Sequence, residues 1–572
     1  MAGVRGFSDP NVQVNGNLSV FHQDVDSSLS TKTNSLLPWY LPYQGGTWPD
    51  ATQCMTAGSN GWSANHGSLN GDLNNKWAIK NTPYSWGYFK RADLPVHFGI
   101  AEGWTVADMY QESVIASTNP NRVSWVSGSI NAPGGPQNTS QGGMYIDNSE
   151  TPGCEGTNLN CYPLKWETYP EYLEAANVTW QVYQDTNNFD DNALAHFESF
   201  QKAASGSNLA KKGTAFVGLD AFYKACASGT LPAVSYIVGP AELSEHPPYQ
   251  PKDGAWLQQQ VVNALVKSPS YNTSALFISY DETGGWGDHV VPFHSPKDTQ
   301  GEWVQDPYGD YGDVYTGPGF RLPFYIISPW TRGGNVYTEN VDHSSQTKFL
   351  EKWLAAKGKN VVTQQIPAWR RANMADLTKA FDFSRPDYSI PTIPTAQTPS
   401  KDSKGNYNGY SLCESSHTST KPKVPYGNQT EASALVSEQG FKPVRGYLTE
   451  GRYLVFEMGS YGLANAAGKP TAAAAPKHDA KAQRFVLHQS GPLSTKFTVS
   501  SAVDGKYLTS TGTYVAGTSG AASFNIVDKG NGAGYSVQSV SDGKYWTIDN
   551  NGNLVRGTTA TGFKVFSVTY NN

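Results

Sequence analysis

Between Ala233 and Glu282 the chain reads strand, helix, strand, and that order restricts the fold more than any other stretch does. AVSYIV and ALFISY are short runs of β-branched, aliphatic and aromatic residues, the mark of buried strands. Between them, GAWLQQQVVNALVKS sets Leu257, Val261 and Leu265 at helical spacing. Strand, crossover helix and second strand make the unit of a parallel α/β sheet. The second strand ends in two acids, Asp281 and Glu282, followed by Gly284, Gly285, Asp288 and His289. Carboxylates carried on a strand end into a Gly-rich turn sit where open α/β sheets bind what they act on. Their oxygens suit a hard or borderline divalent metal ion. Taken alone, an Asp-Glu pair is more often a surface cap on a strand.

Other stretches add residues suited to chemistry. Trp62, His66 and Asn70 lie in GWSANHGSLNGDLNNKW, where a lone histidine is ordinarily just exposed. Further on, FGIAEGWTVADMYQES reads as helical and runs into the turn ASTNPNR, which carries Thr118. A threonine before Asn-Pro is usually a turn former. Near a helix start, however, its hydroxyl gains backbone donors and a dipole that favours an anion. A metal on that hydroxyl would stabilise its alkoxide. His246, in SEHPP, follows the end of AVSYIV in the same way that Asp281 follows ALFISY. LAHFESFQKAAS and GTAFVGLDAFYKACASG read as helices, and RLPFYIISPW as a further strand. In VDHSS, Asp342 and Ser344 are candidate helix caps, and a structural role is favoured over a site-lining one for His343.

Composition excludes several classes. With 572 residues the chain has room for two or three domains. A mean hydropathy of −0.48 and the lack of a long apolar run argue against a membrane-spanning segment. A net charge of −6 leaves no basic footprint for nucleic acid. Asn17, Asn138, Asn177, Asn272 and Asn428 each open an N-x-S/T sequon, in keeping with a secreted glycoprotein. Cys154 and Cys161 bracket the loop CEGTNLNC and are a disulfide candidate. Cys54, Cys226 and Cys413 then leave an odd count.

The Asp281 stretch, GWSANHGSLNGD, ASTNPNR, SEHPP, RLPFYIISPWTRGG and VDHSS together resemble the secreted phosphoesterase family of the alkaline-phosphatase superfamily. That family includes the non-haemolytic and phosphatidylcholine-preferring phospholipases C and an acid phosphatase branch. The resemblance covers roughly the first 385 residues and keeps the family's motif order. It implies a doubly wound, mostly parallel sheet of alkaline-phosphatase type. It also implies Thr118 as nucleophile, His66 and His246 at the phosphate, and a divalent metal ion held by Asp281, Glu282 and Thr118. Asn70, Asp288, His289 and His343 are possible lining residues. Ala116 and Ser117 stand where the family usually has Gly and Pro. MAGVRGFSDPNV resembles a segment that in the family follows a first strand and a Glu-Asn turn, so the expectation is of an N-terminally truncated core with no signal peptide in this chain.

The implied reaction is metal-dependent phosphate-ester hydrolysis, of phospholipase C type, through a phosphothreonine. Its substrate would be a phospholipid met by transient contact with a membrane surface, and the setting secreted. The alternatives are an acid phosphatase on soluble phosphomonoesters and a non-catalytic secreted binder with a disabled core. The expected domains are a catalytic unit at 1–383, a Pro/Ser/Thr-rich linker at 384–433 and a β-rich unit at 434–572. In the last, KFTVSSAVDGKYLTS and GYSVQSVSDGKYWTI are near-copies, with DGKY tetrads 38 residues apart, and GYLTEGRYLVFE is a weaker third copy. Three such units suggest a threefold trefoil-type domain, with a β-sandwich as the rival. No catalytic cluster appears in it, so it reads as a binding or stabilising accessory module.

Overall fold

The computed structural model describes all residues except 149–153, 155, 157–158, 418–420, 467–470, 492 and 571–572. In chain order, the elements that frame the site are α1 (Trp62–Leu69), α2 (Pro95–Gly103), β1 (Thr105–Ala107) and α3 (Thr118–Ser127). Next come β2 (Trp180–Gln184), α4 (Leu219–Ser228), β3 (Val234–Val238) and α5 (Pro251–Val266). β4 (Leu276–Ser279), β5 (Phe324–Ile327), β6 (Asn335–Tyr337) and α6 (His343–Ala356) complete the unit. The stretch expected as one helix through FGIAEGWTVADMYQES is α2 followed by β1, because the β-branched run TVA joins the sheet. LAHFESFQKAAS yields only two single turns, Ala193–His196 and Glu198–Gln201.

The sheet is mixed, with the order β4–β5–β1–β6. β4 pairs antiparallel with β5 and β5 antiparallel with β1, whereas β1 and β6 run parallel. Among these strands the expected parallel arrangement therefore holds for β1/β6 and for β2/β3, which form a separate parallel pair, and fails at β4/β5 and β5/β1. The reason lies in the connection from β4 to β5. Residues 280–323 contain two short strands and, among the described residues, no α-helix. A parallel neighbour needs a crossover, while an antiparallel one needs only a returning loop. β5 is buried along its whole length, as its uninterrupted FYII demands, while all four residues of β4 are only half-buried.

Segment 384–433, Pro-rich as a linker would be, lies along the catalytic unit. Its Pro391 and Pro394 close over Gly103 and Gly99 of α2, where a Cβ would stand 2.7 and 2.5 Å from them. Cys413 is bonded to Cys54, so the segment is cross-linked to the catalytic unit. Cys154 and Cys161 are also bonded to each other, leaving Cys226 as a buried free thiol.

The C-terminal unit contains β7 (Gly440–Arg445), β8 (Tyr453–Met458), β9 (Phe485–Gln489) and β10 (Lys496–Ser501). β11 (Phe524–Asp528), β12 (Tyr535–Ser539) and β13 (Lys564–Thr569) follow. Pairings run β8–β9–β10–β11–β12, a Tyr535–Phe563 bridge leads from β12 toward β13, and β13 pairs with β8. That closes a ring. Three hairpins stand outside it, starting at Tyr461, Tyr507 and Tyr545. Phe456, Leu487, Phe497, Phe524, Val537 and Val565 fill the interior. β7 reaches back and pairs parallel with β6, Val336 opposite Val444, so the two units share hydrogen-bonded strands.

Candidate active site

Thr118 opens α3, and the turn before it is held by one side chain. Asn121 accepts from the Val114 amide (2.9 Å) and donates to the carbonyls of Val114 (3.0 Å), Ala116 (3.1 Å) and Ser117 (3.1 Å). The turn is thus rigid although Ala116 and Ser117 replace a Gly-Pro pair. Ser117 adds a hydrogen bond to Asn148 at 2.9 Å. Thr118 is left at the helix start, where its own amide favours negative charge, since the Asn119 amide donates to Asn148 Oδ1 at 2.8 Å and Pro120 has no N–H.

Thr118, His246, Asp281 and Glu282 line one cavity of about 410 Å³. Arg122, one helical turn after Thr118, and Asp191 line it too. Arg122 donates from Nε to Asp281 Oδ2 at 2.7 Å, and its other end reaches Asp191 Oδ2 at 3.0 Å. Burial works to raise the Asp281 carboxyl, but the charge and hydrogen bond of Arg122 outweigh it and hold the group below its ordinary value. Burial, and then the neighbouring charge of Asp281, push Glu282 up to about 8. Burial likewise brings Asp191 to about 7 despite Arg122. One arginine therefore serves three crowded carboxylates.

The donor chemistry fits a hard divalent cation, and the raised Glu282 marks a spot where more positive charge would be favourable. Among the described residues, however, no three candidate ligands converge. Asp281 and Glu282 would hold the ion, and Arg122 supplies the countercharge in this arrangement.

Other residues singled out in the sequence fall elsewhere. His66 is buried in α1 against Trp62 (ring centroids 4.2 Å apart), outside the cavity lining, and burial brings its imidazole down to about 3. Asn70 is the left-handed C-cap of α1 and bonds Asn75 at 2.8 Å. His343 donates to the Asp281 carbonyl at 2.8 Å and accepts from Tyr110 at 2.6 Å, fixing the backbone that carries the acid. Asp288 is paired with Arg321, and His289 stacks on Phe21. All five sequon asparagines are exposed.

Three groups went unread in the sequence. Arg122 had a signal, four residues after Thr118 and hence on the same helix face. Asp191 sits in a polar loop and had none. The third is a buried cluster beneath His246. Glu245 accepts from Tyr280 (2.7 Å) and Gln258 (2.8 Å), and His97 Nε2 lies 3.0 Å from it. The cluster ties the His246 turn to α2, α5 and the residue before Asp281.

The molecule is thus an α/β protein that gathers a helix-borne hydroxyl, four carboxylates (Asp191, Glu245, Asp281 and Glu282) and two arginines (Arg122 and Arg321) in one cavity beside its sheet. The chain belongs to the Phosphoesterase family, whose model matches residues 1–355. It is 33% identical over 438 residues to the non-hemolytic phospholipase C of Burkholderia pseudomallei, covering 69% of this chain and 58% of that protein. It is 33% identical over 410 residues to the hemolytic phospholipase C of Pseudomonas aeruginosa, covering 67% and 53%. Phospholipase C A of Mycobacterium tuberculosis is 32% identical over 376 residues, covering 62% and 68%. The chain spans little more than half the length of the first two.

Proposed function

We propose that the chain is a phosphoester hydrolase of phospholipase C type, with Thr118 as nucleophile. The observation that carries this reading is the shared cavity of Thr118, Asp281, Glu282 and Arg122. Family membership supports the reaction class, and the names of the relatives support a phospholipid substrate. A divalent ion at Asp281 and Glu282 would polarise a phosphoryl oxygen and lower the pKa of a nearby hydroxyl. The Thr118 hydroxyl gives its proton to His246, which lines the cavity, and its oxygen forms a bond to phosphorus as the bond from phosphorus to the diacylglycerol oxygen breaks. His246 then passes that proton to the departing oxygen. Water then cleaves the phosphothreonine and releases the phosphorylated head group. The Thr118 amide at the start of α3 stabilises charge on the phosphoryl oxygens.

The trefoil form of the C-terminal unit belongs to the same reading, supported by its ring of strands and three hairpins. Two disulfides and five exposed sequons support an oxidising, secreted setting. An apolar cavity of about 590 Å³, walled by Phe7, Phe21, Trp86 and Phe98, adjoins the site and favours a lipid over a small monoester. The test is turnover of phosphatidylcholine and of an aryl phosphate by the wild type and by Thr118→Ala. Loss of at least a thousandfold in Thr118→Ala is expected. A variant with more than a tenth of the wild-type rate would remove the nucleophile from the reading, and preference for the aryl ester would favour a phosphatase.

A further inference from the structure

A turn of the C-terminal unit is put to use between the two units. EGRY (450–453) leads into β8 and holds Gly451 at φ 95°. DGKY (504–507) and DGKY (542–545) resemble it in sequence, but the strand pairings set those two between a ring strand and its hairpin, where the first repeat has Gly459 ahead of Tyr461. The two DGKY turns lie at the surface, with Lys506 and Lys544 exposed. A Cβ on Gly505 would meet nothing within 4 Å, and one on Gly543 only a side-chain tip at 3.9 Å. The EGRY turn is buried, and a Cβ on Gly451 would stand 1.9 Å from the Arg5 guanidinium.

Arg452 carries the contact of the buried turn. Its side chain is 2% exposed and that of its partner, Asp108, is 0%. It donates to both Asp108 oxygens, from Nε at 3.0 Å and from its second terminal nitrogen. Its remaining nitrogen donates to Thr449 Oγ1 at 2.7 Å and to the carbonyls of Thr449 and Glu450 at 3.1 and 2.9 Å. Every nitrogen of the fork is engaged, which a buried guanidinium requires. A lysine has no such fork.

From Asp108 the contacts continue to the wall beside the candidate site. Asp108 directly follows β1, and its carbonyl accepts from Arg321 at 2.9 Å. Arg321 holds Asp288 in a two-pronged pair at 2.7 and 2.8 Å. His289 lies between Asp288 (3.4 Å) and Asp9 (3.3 Å). Asp9 is held by Arg5 at 2.6 Å, and the Arg5 amide returns to Asp108 at 2.9 Å. The circuit is closed. Asp288, His289 and Arg321 line the larger apolar cavity, and Arg321 lines the candidate site as well.

We infer that the EGRY turn is a docking element and Arg452 a positioning residue, which through Asp108 and Arg321 sets the Asp288–His289 wall of the cavity adjoining the candidate site. The C-terminal unit is on this account a working part of the catalytic unit, and the two surface DGKY turns are not needed for it. The assignment of the wall to a substrate site rests on the proposed function, while the docking does not.

The test uses the full chain with Arg452→Ala and Arg452→Lys, and Lys506→Ala and Lys544→Ala as surface controls from the two DGKY turns. Thermal midpoints and the imidazole resonances of His289, assigned by their loss in His289→Gln, are recorded for each. Arg452→Ala is expected to lower the midpoint by several degrees and to shift the His289 resonances, Arg452→Lys to do both less, and the other two to do neither. A midpoint unchanged in Arg452→Ala would overturn the docking. A lowered midpoint with unmoved His289 resonances would overturn the positioning and leave a purely structural pair. Should Arg452→Ala not fold, Arg452→Lys decides, and wild-type values for both readouts would overturn the inference. Neither readout needs turnover, so failure of the phosphoester reading is seen separately, in the Thr118→Ala assay.

Discussion

Arg122 and Asp281 meet at 2.7 Å inside the candidate site, and the same guanidinium reaches Asp191 at 3.0 Å. Removing it leaves three carboxylates in a buried space with no countercharge. Breaking one side of a buried ion pair costs about 3–5 kcal/mol. Arg122→Ala should lose about that much stability when the protein is held in chelator. A divalent ion should then restore more of the melting temperature than it adds to the wild type, since the vacated charge is positive. Melting curves with chelator and with Mg²⁺, Mn²⁺ or Zn²⁺ check this. Equal midpoints for the two proteins in chelator would show that Arg122 does not balance the acids.

The Glu282 carboxyl, raised from 4.5 to about 8, makes stability depend on pH in a known direction. The folded state holds this proton more tightly than the unfolded state does. The contribution is complete below about pH 4.5 and is lost as pH rises through about 8. Glu282→Gln, which keeps the neutral shape, should match the wild type near pH 5. It should be the more stable protein at pH 8.5 in chelator. Asp191→Asn should behave alike, with its gain appearing near pH 7, where its carboxyl titrates. Denaturant midpoints across that range decide it, and parallel curves for wild type and Glu282→Gln would refute it.

What was legible depended on whether the signal was local. The Asp281 strand end could be read because ALFISY is a continuous apolar run that stops at two acids. The helix between β3 and β4 was equally plain from Leu257, Val261 and Leu265. Strand direction was not, because nothing in residues 280–323 states which way RLPFYII returns. His66 read as a loop residue because WSANHGSL is poor in strong helix formers, yet tertiary packing makes α1 of it. Arg122 reads as a solvated helix face until its partners, 159 and 69 residues away, are placed beside it. The Cys54–Cys413 bond and the Arg452–Asp108 pair are likewise long-range, and neither residue type announces its partner.

Glu245 should matter through its neighbours. Its carboxylate accepts from Tyr280 and Gln258 and faces His97, all partly or wholly buried. Truncation strands three polar groups, at about 1–3 kcal/mol each when left unpaired. Glu245→Ala is expected to cost about 3 kcal/mol and to lower turnover through the His246 turn, while Glu245→Gln keeps most of the bonds and about half the stability. Urea unfolding of both variants checks the order. A loss in Glu245→Ala below about 1 kcal/mol would mean that the cluster does not hold the turn.

The Cys54–Cys413 bond spans 359 residues. Loop-closure entropy for a span of that length gives a ceiling on the order of 5 kcal/mol, and native bridges typically contribute about 2–4. The upper part of that range is not expected here, because segment 384–433 keeps other anchors. Gln259 donates to the Pro394 carbonyl at 2.6 Å, and Gln429 exchanges hydrogen bonds with Leu37 at 3.2 and 3.0 Å. These sit on either side of Cys413, so its loss frees mainly the stretch between them. Cys413→Ser should therefore cost about 2 kcal/mol and open sites between Ala396 and Gln429 to limited proteolysis, leaving the flanking units intact. Wild-type protein treated with reductant should give the same fragments. If Cys413→Ser resists protease as the oxidised wild type does, the segment is held by its packing, and the bridge contributes little to keeping it down.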